Sequence, residues 1–239
     1  MTSSMPCLRV RSGDAAGRIF VLLLALSGGA PAYAACTDSP AAGVDWVECE
    51  KRRLVLRGAD LKNARLAGAD MGRSDLVKAH LDGADLTRAS LDHARFAEAD
   101  LSGAKLIQVN AYRVNFSKAK LIGADLSKGE FARANLSHAD LSRANLDRAE
   151  LHRAILQEAN FSGANMTGAD FGRADLSKAT FAGATLTQTD LTLARLDAAD
   201  LSGALGLTQP QLDRACGDAL TRLPKGLARP LGWPCRSQE

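Results

Sequence analysis

The chain has 239 residues, 46% of them hydrophobic but only 5% aromatic, and carries a net charge of +3. This near balance of charge argues against a chain that imitates a polyanion such as nucleic acid over its whole surface. After the first 34 residues, no run is long and apolar enough to cross a membrane.

Residues 1–34 have the layout of a secretory leader. Arg9, Arg11 and Arg18 make a basic stretch, Ile19 to Leu26 a short apolar run, and Ala32-Tyr33-Ala34 a small-residue cleavage site. Cleavage is expected after Ala34, with Met5 as an alternative start, giving a periplasmic or secreted protein. Lipidation of Cys36 is the competing reading, disfavoured because Tyr33 stands where that motif wants leucine. Cleavage removes Cys7 and, by taking Arg9, Arg11, Arg18 and Asp14, lowers the net charge by two, to +1. Cys36, Cys49, Cys216 and Cys235 remain, two on each flank of the central region. An even number of cysteines in an exported chain points to disulfides. Three connectivities are possible, and Cys36–Cys49 with Cys216–Cys235 has the simplest topology. No closely spaced cysteine pair suggests a metal site.

Residues 35–53 are expected to cap the region that follows, with Asp45-Trp46-Val47 laying an indole over its end. From Leu56 to Leu201 a hydrophobic residue recurs every five positions, thirty in all, each Leu, Phe or Met except Ala111. A small residue, nearly always Ala, stands two before each centre, with Asp, Asn or another polar residue between. The period fits neither an amphipathic helix nor a plain strand, and a fixed repeat without insertions means a solenoid.

A second period of twenty lies over the first. The residue two after each centre falls into classes: Asn63, Gly83, Gly103, Gly123, Arg143, Gly163, Gly183, Gly203 in one; Arg73, His93, Arg113, Arg133, Arg153, Arg173, Leu193 in another. A square coil of twenty residues separates Gly from Arg in this way. Residues twenty apart then stack one strand spacing apart, about 4.8 Å, for a rod roughly 35 Å long. Centres and preceding alanines point inward, so Phe96 should stack on Phe116 and Phe161 on Phe181. Val109 and Val114 replace the usual Ala on either side of Ala111 and make up its missing volume. The competing reading of this segment is a kink or docking site around Tyr112.

The unit A-[DN]-L-x-x, clear in Ala164-Asn165-Met166-Thr167-Gly168-Ala169-Asp170-Phe171, resembles the pentapeptide repeat family. The resemblance implies an all-β solenoid over residues 54–205, a right-handed quadrilateral β-helix of about seven coils. Some members of that family bind topoisomerases in the cytoplasm as DNA mimics. That is the alternative function here, set against near neutrality and a leader for export.

Residues 206–239 are expected to form a C-terminal cap. Thr208, Pro210 and Gln211 have the spacing of a helix start, predicting a short helix over Gln209 to Leu220 with Leu212, Ala215 and Cys216 on one face. An extended tail follows, with Trp233 and Cys235 folded back. The run from Gly206 through Asp218 also resembles the tails of exported bacterial pentapeptide repeat proteins.

No arrangement of side chains suggests catalysis, a cofactor or a metal. His80, His93, His138 and His152 face outward, and no two are twenty apart. Acids such as Asp60, Asp70, Asp85 and Asp100 suit local hydrogen bonding to turns. The sharpest feature is a ladder of Arg73, His93, Arg113, Arg133, Arg153 and Arg173 up one edge. Its charges are expected either to be neutralised by Asp70, Asp75, Glu130, Glu150, Asp170 and Asp175 or to meet an anionic partner in the cell envelope. The Lys78, Glu98, Lys118, Glu158, Lys178 edge is expected to pair with itself. These features point to an exported, non-catalytic scaffold, monomeric or weakly dimeric, that presents flat faces to a partner.

Overall fold

The computed structural model describes residues 35–234. The leader, with its cleavage site at Ala34, and Cys235 lie outside the described residues.

Each five-residue unit is a β-turn followed by a single bridging residue. In the unit at Leu61, the Ala64 amide donates to the Leu61 carbonyl at 3.1 Å and closes the turn. The Lys62 amide donates to the Asp60 carboxylate at 3.2 Å. The second central residue, Asn63, has φ +52°, the mark of a type II turn. Arg65 then bridges Asp85 in parallel, twenty residues on. From Asp45↔Arg65 to Thr185↔Leu205 the bridges keep this offset, so four five-residue sides make one coil. The amides between turns go to the next coil, as in Leu61 N–H to His80 O at 2.7 Å.

Apolar centres fill the inside because each coil has one central side chain and one alanine per side turned inward. Every centre from Leu61 to Leu201 is at most 1% exposed. A fully buried leucine contributes roughly 1.5–3 kcal/mol. The expected aromatic stacks are present: Phe96 and Phe116 have centroids 5.0 Å apart, and Phe161 and Phe181 lie 5.3 Å apart and nearly parallel. Ala111, Val109 and Val114 are fully buried. One coil on from Ala111 stands Phe131, 6.4 Å from Phe116. Gly129 replaces the alanine before Phe131, and a Cβ there would come within 2.5 Å of the ring. The small centre is thus offset by two valines and an aromatic neighbour.

The coil begins earlier than the hydrophobic period does. Turns and bridges run from residue 41, so much of the expected N-terminal cap is coil. Trp46 occupies a centre, is 1% exposed and donates Nε1–H to the Asp38 carbonyl. Lys51 occupies the next centre; its ammonium lies 4.0 Å over the Trp46 ring and donates to the Cys36 carbonyl at 2.6 Å. A disulfide joins Cys36 to Cys49 with 5.5 Å between Cα atoms. It ties the opening turn Ala35–Thr37 to the coil.

The C-terminal expectation needs correction. The helix, α1, is one turn, Gln209–Leu212, not a helix to Leu220. Beyond it the chain pairs with the last coil: Arg195 bridges Cys216 and Asp200 bridges Arg222, the offset growing from twenty to twenty-one and then twenty-two. An open coil end presents unpaired amides and carbonyls, and these recruit the backbone that would have extended the helix. Gln211 Nε2 donates to the Leu186 and Thr189 carbonyls. Trp233 is 9% exposed, and its indole donates to the Ala215 carbonyl at 2.7 Å. Gly217 leaves room for that indole, since a Cβ there would meet the ring at 2.5 Å. Cys216 is disulfide-bonded; Cys235, its expected partner, lies outside the described residues. Among the described residues no helix is long and apolar enough to cross a membrane.

Leu136→Asp places a carboxylate at a fully buried centre and should cost more than about 4 kcal/mol. Loss of the thermal unfolding transition is the expected result; a wild-type melting temperature would contradict the register. A second expectation concerns pH. Burial pushes the Asp100 carboxyl up, but hydrogen bonds from the Ser102 hydroxyl and amide, with Lys120 nearby, hold it below its ordinary value. Burial likewise raises Asp175, and the Ser177 hydroxyl and amide, Gln157 and Arg195 carry it below. Depressed carboxylates contribute stability that is present above their unfolded pKa and lost as pH falls through the lower folded one. Stability should therefore decline below roughly pH 4, and Asp100→Asn with Asp175→Asn should flatten that decline in melts across pH 2–6.

Candidate functional site

One side of the coil differs from the other three in how it places charge. Its centres run Met71, Leu91, Ala111, Phe131, Leu151 and Phe171, and the turn residue two after each is the expected ladder: Arg73, His93, Arg113, Arg133, Arg153 and Arg173. Arg53 extends it by one coil, a residue missed because Lys51 interrupts the apolar series before it. All seven are exposed, and neighbours are one coil apart, about 4.8 Å along the stack.

The backbone beneath the ladder is left-handed. From residue 43 to residue 198, every second central turn residue has positive φ, and the ladder lies between +54° and +60°. Glycine takes this conformation freely; other residues incur on the order of 1 kcal/mol. The diagonally opposite edge meets the demand with Gly83, Gly103, Gly123, Gly163 and Gly183, and the two edges between hold residues such as Lys78, Glu98, Arg88 and Lys128 in it. The ladder edge holds arginine in the same geometry.

The acids expected to neutralise the ladder do not reach it. Asp70 pairs with Arg52 at 3.0 Å, Asp75 with Arg57 and Arg95 at 3.3 Å, Asp170 with His152 at 4.0 Å and Asp175 with Arg195 at 3.7 Å. Among the described residues Glu130 and Glu150 make no ion pair, and no ladder side chain makes an ion pair or a hydrogen bond. Two aromatic contacts lie in the ladder. Tyr112 has the Arg113 guanidinium 5.1 Å from its centroid and the His93 ring 5.8 Å away, edge-on. The Tyr112 amide donates to Asp92 at 3.1 Å, which holds the local turn.

A second column of like charge runs up the same side. Its bridging residues are Glu50, Asp70, Ser90, Asn110, Glu130, Glu150, Asp170 and Asp190 in consecutive register. The bridging columns of the other three sides put no two like charges in neighbouring coils. They alternate and pair, as in Arg65–Asp45 at 2.6 Å, Lys120–Asp100 at 3.4 Å and Arg95–Asp75. The edge expected to pair with itself does so through Lys78–Glu98 at 3.5 Å and Lys178–Glu158 at 3.2 Å, with His138 also on Glu158. Only the arginine side carries an acidic column, interrupted at Ser90 and Asn110, at one margin and a basic column at the other, with like neighbours repelling by a few tenths of a kcal/mol per step after screening.

A shallow cavity of about 360 Å³ lies near the C-terminal end, lined by Gln188, Thr189, Asp190, Leu191, Gln211 and Arg214. The Thr189 hydroxyl in it is held by the Met166 carbonyl at 2.8 Å, and Gln211 by the coil-end carbonyls. Among the described residues no group of three or more His, Cys, Asp or Glu is placed to hold a metal ion.

If the ladder is kept against the preference of its own turns, removing it should stabilise the fold. Arg133→Gly with Arg153→Gly should gain about 0.5–1 kcal/mol per site, seen as a higher denaturation midpoint with an unchanged slope.

Among curated proteins none matches this chain. Solved structures do. It is 30% identical to HetL, a pentapeptide repeat protein involved in heterocyst differentiation regulation from the cyanobacterium Nostoc sp. strain PCC 7120, covering 81% of this chain and 94% of that one with a TM-score of 0.49. It is 17% identical to a trypsin-treated form of QnrB1, a plasmid-mediated fluoroquinolone resistance protein, over 77% and 91% with a TM-score of 0.42. It is 29% identical to the pentapeptide repeat protein Rfr23 from the cyanobacterium Cyanothece 51142, over 48% and 63% with a TM-score of 0.36. The family model for pentapeptide repeats matches in eight copies across residues 55–92, 94–129, 130–168 and 169–205. Over that same span the structure shows one turn and one bridge every five residues, and on this ground the chain belongs to the pentapeptide repeat family.

Proposed function

We propose that this protein is an exported, non-catalytic binding scaffold, a right-handed rod whose working surface is the arginine side. The observation that carries the reading is the uncompensated arginine column, with Glu130 and Glu150 unpaired beside it among the described residues. On three sides the bridging columns place opposite charges in register and pair them, while the fourth stacks like charges in its bridging column and arginine over arginine in its turn column. Those charges add nothing to the rod, so their role lies in what they meet. The partner presents carboxylate or phosphate groups in a line along the stack. Export is supported by the Arg9–Ala34 leader pattern and by the Cys36–Cys49 disulfide, a bond that persists in oxidising compartments.

The alternative within the family is a DNA mimic acting on a topoisomerase. A mimic needs a polyanionic face, and a mature charge of +1 with a basic column on its most distinctive side is the wrong surface for that task.

Arg113→Glu with Arg133→Glu should weaken retention of the mature protein on anionic envelope extracts at least tenfold, without lowering its melting temperature. Retention of the wild type should fall with added salt. Equal, salt-insensitive retention of both proteins would exclude the arginine side as the binding surface. Stoichiometric inhibition of gyrase supercoiling by the mature chain would favour the alternative.

A further inference from the structure

We propose that the arginine side binds a second copy of this chain, the two rods lying face to face and parallel about a two-fold axis that runs along the stack. This rests on the reading of that side as the binding surface, and it names the partner. On each rung the acid precedes the arginine by three residues, as in Glu130 and Arg133 or Glu150 and Arg153, so the two columns occupy opposite margins of one flat side. Rotation about an axis parallel to the columns exchanges the margins. The acidic column of one copy then faces the basic column of the other at the same height, and the pairing is made twice. Rotation about an axis across the stack leaves each margin opposite its own kind and sets acid against acid. The charge pattern thus selects one of the two symmetric face-to-face arrangements.

What lies between the margins fits such an approach. Gly72, Ala132 and Gly172 hold middle positions there and project little beyond the backbone, while Arg52 and His152 at two others lean onto Asp70 and Asp170 of the acidic margin. Tyr112, at a middle position halfway up, comes close to the axis, where it meets its symmetry mate; aromatic residues are favoured at the centre of interfaces. No other side has this property, because columns that alternate along their length are already satisfied within one rod. The arrangement also accounts for Glu130 and Glu150, which have no ion pair within the chain, together with Arg133 and Arg153. A surface one coil side wide is small against the roughly 1,600 Å² of a stable complex, and its charges are screened by salt. The dimer is therefore one that dissociates on dilution and in high salt.

The test is sedimentation velocity of the mature chain from about 1 µM to 1 mM, at low and high salt, with charge-exchange variants. Arg133→Glu plus Arg153→Glu makes both margins acidic over two coils; Glu130→Arg plus Glu150→Arg makes both basic. The wild type should dimerise, and each double variant alone should associate at least tenfold more weakly. An equimolar mixture of the two variants should form a heterodimer. All four changes in one chain should restore the homodimer, a result that a misfolded protein cannot give. A wild-type monomer throughout the range would overturn the proposal, as would a dimer that neither double variant weakens, which would place the contact elsewhere. A wild-type monomer that is still retained on anionic extracts through Arg113 and Arg133 would overturn the self-association and leave the proposed function standing. A monomer that is not retained would remove both.

Discussion

Everything in this rod depends on backbone groups finding their partners exactly one coil away. A five-residue side is too short to satisfy its own amides and carbonyls. Each closes one hydrogen bond inside its turn, Ala64 to Leu61 for example, and sends the others to the coils above and below. The offset of twenty is held from Asp45↔Arg65 to Thr185↔Leu205. An insertion of one residue would slide every later centre out of the core, which is why the repeat tolerates none until the C-terminal end. There the offset lengthens to twenty-one and twenty-two, and the coil stops. The same demand shapes both ends. Trp46, Lys51 and the Cys36–Cys49 disulfide close one opening; Gln211 and Trp233 supply donors at the other.

Fold and side count were legible from the sequence because the inward positions admit so little. Only an alanine-sized residue and one larger apolar residue fit per side, so the five-residue period is written by packing itself. What escaped the sequence escaped for local physical reasons. Lys51 stands at a centre, yet its ammonium lies over the Trp46 ring and donates to the Cys36 carbonyl. A charged residue there hides a coil that the backbone plainly continues, and with it the extra ladder residue Arg53. The helix after Thr208 has genuine start signals, and one turn of it forms. Its length was decided by the open coil edge, a tertiary demand that no window of twelve residues contains.

The candidate site was half legible. The period of twenty puts the arginines in one column whatever their side chains do. Which acid serves which cation depends on reach, and there the expectation failed: Asp75 turns to Arg57 and Arg95, and Asp175 to Gln157 and Arg195. Sequence adjacency suggested neutralisation; geometry left the ladder alone. The acidic column opposite it follows from the same period, but its meaning emerges only when the remaining sides are seen to alternate.

A solenoid of this kind separates the residues that hold it together from those that face outward. Inside, burial is complete and substitution is constrained to volume, as the exchange among Ala111, Val109, Val114 and Phe131 shows. Outside, three residues in five touch mainly solvent, and a favourable ion pair between neighbouring coils contributes at most about 1 kcal/mol. Charge order on such a surface is nearly free to vary without endangering the fold. It is therefore informative where it departs from the cheapest arrangement. The alternating sides need no explanation beyond local pairing. The arginine side stacks like charges in both its bridging and its turn column. Among the described residues no ion pair offsets the stacked arginines, and on that imbalance the proposed binding role rests.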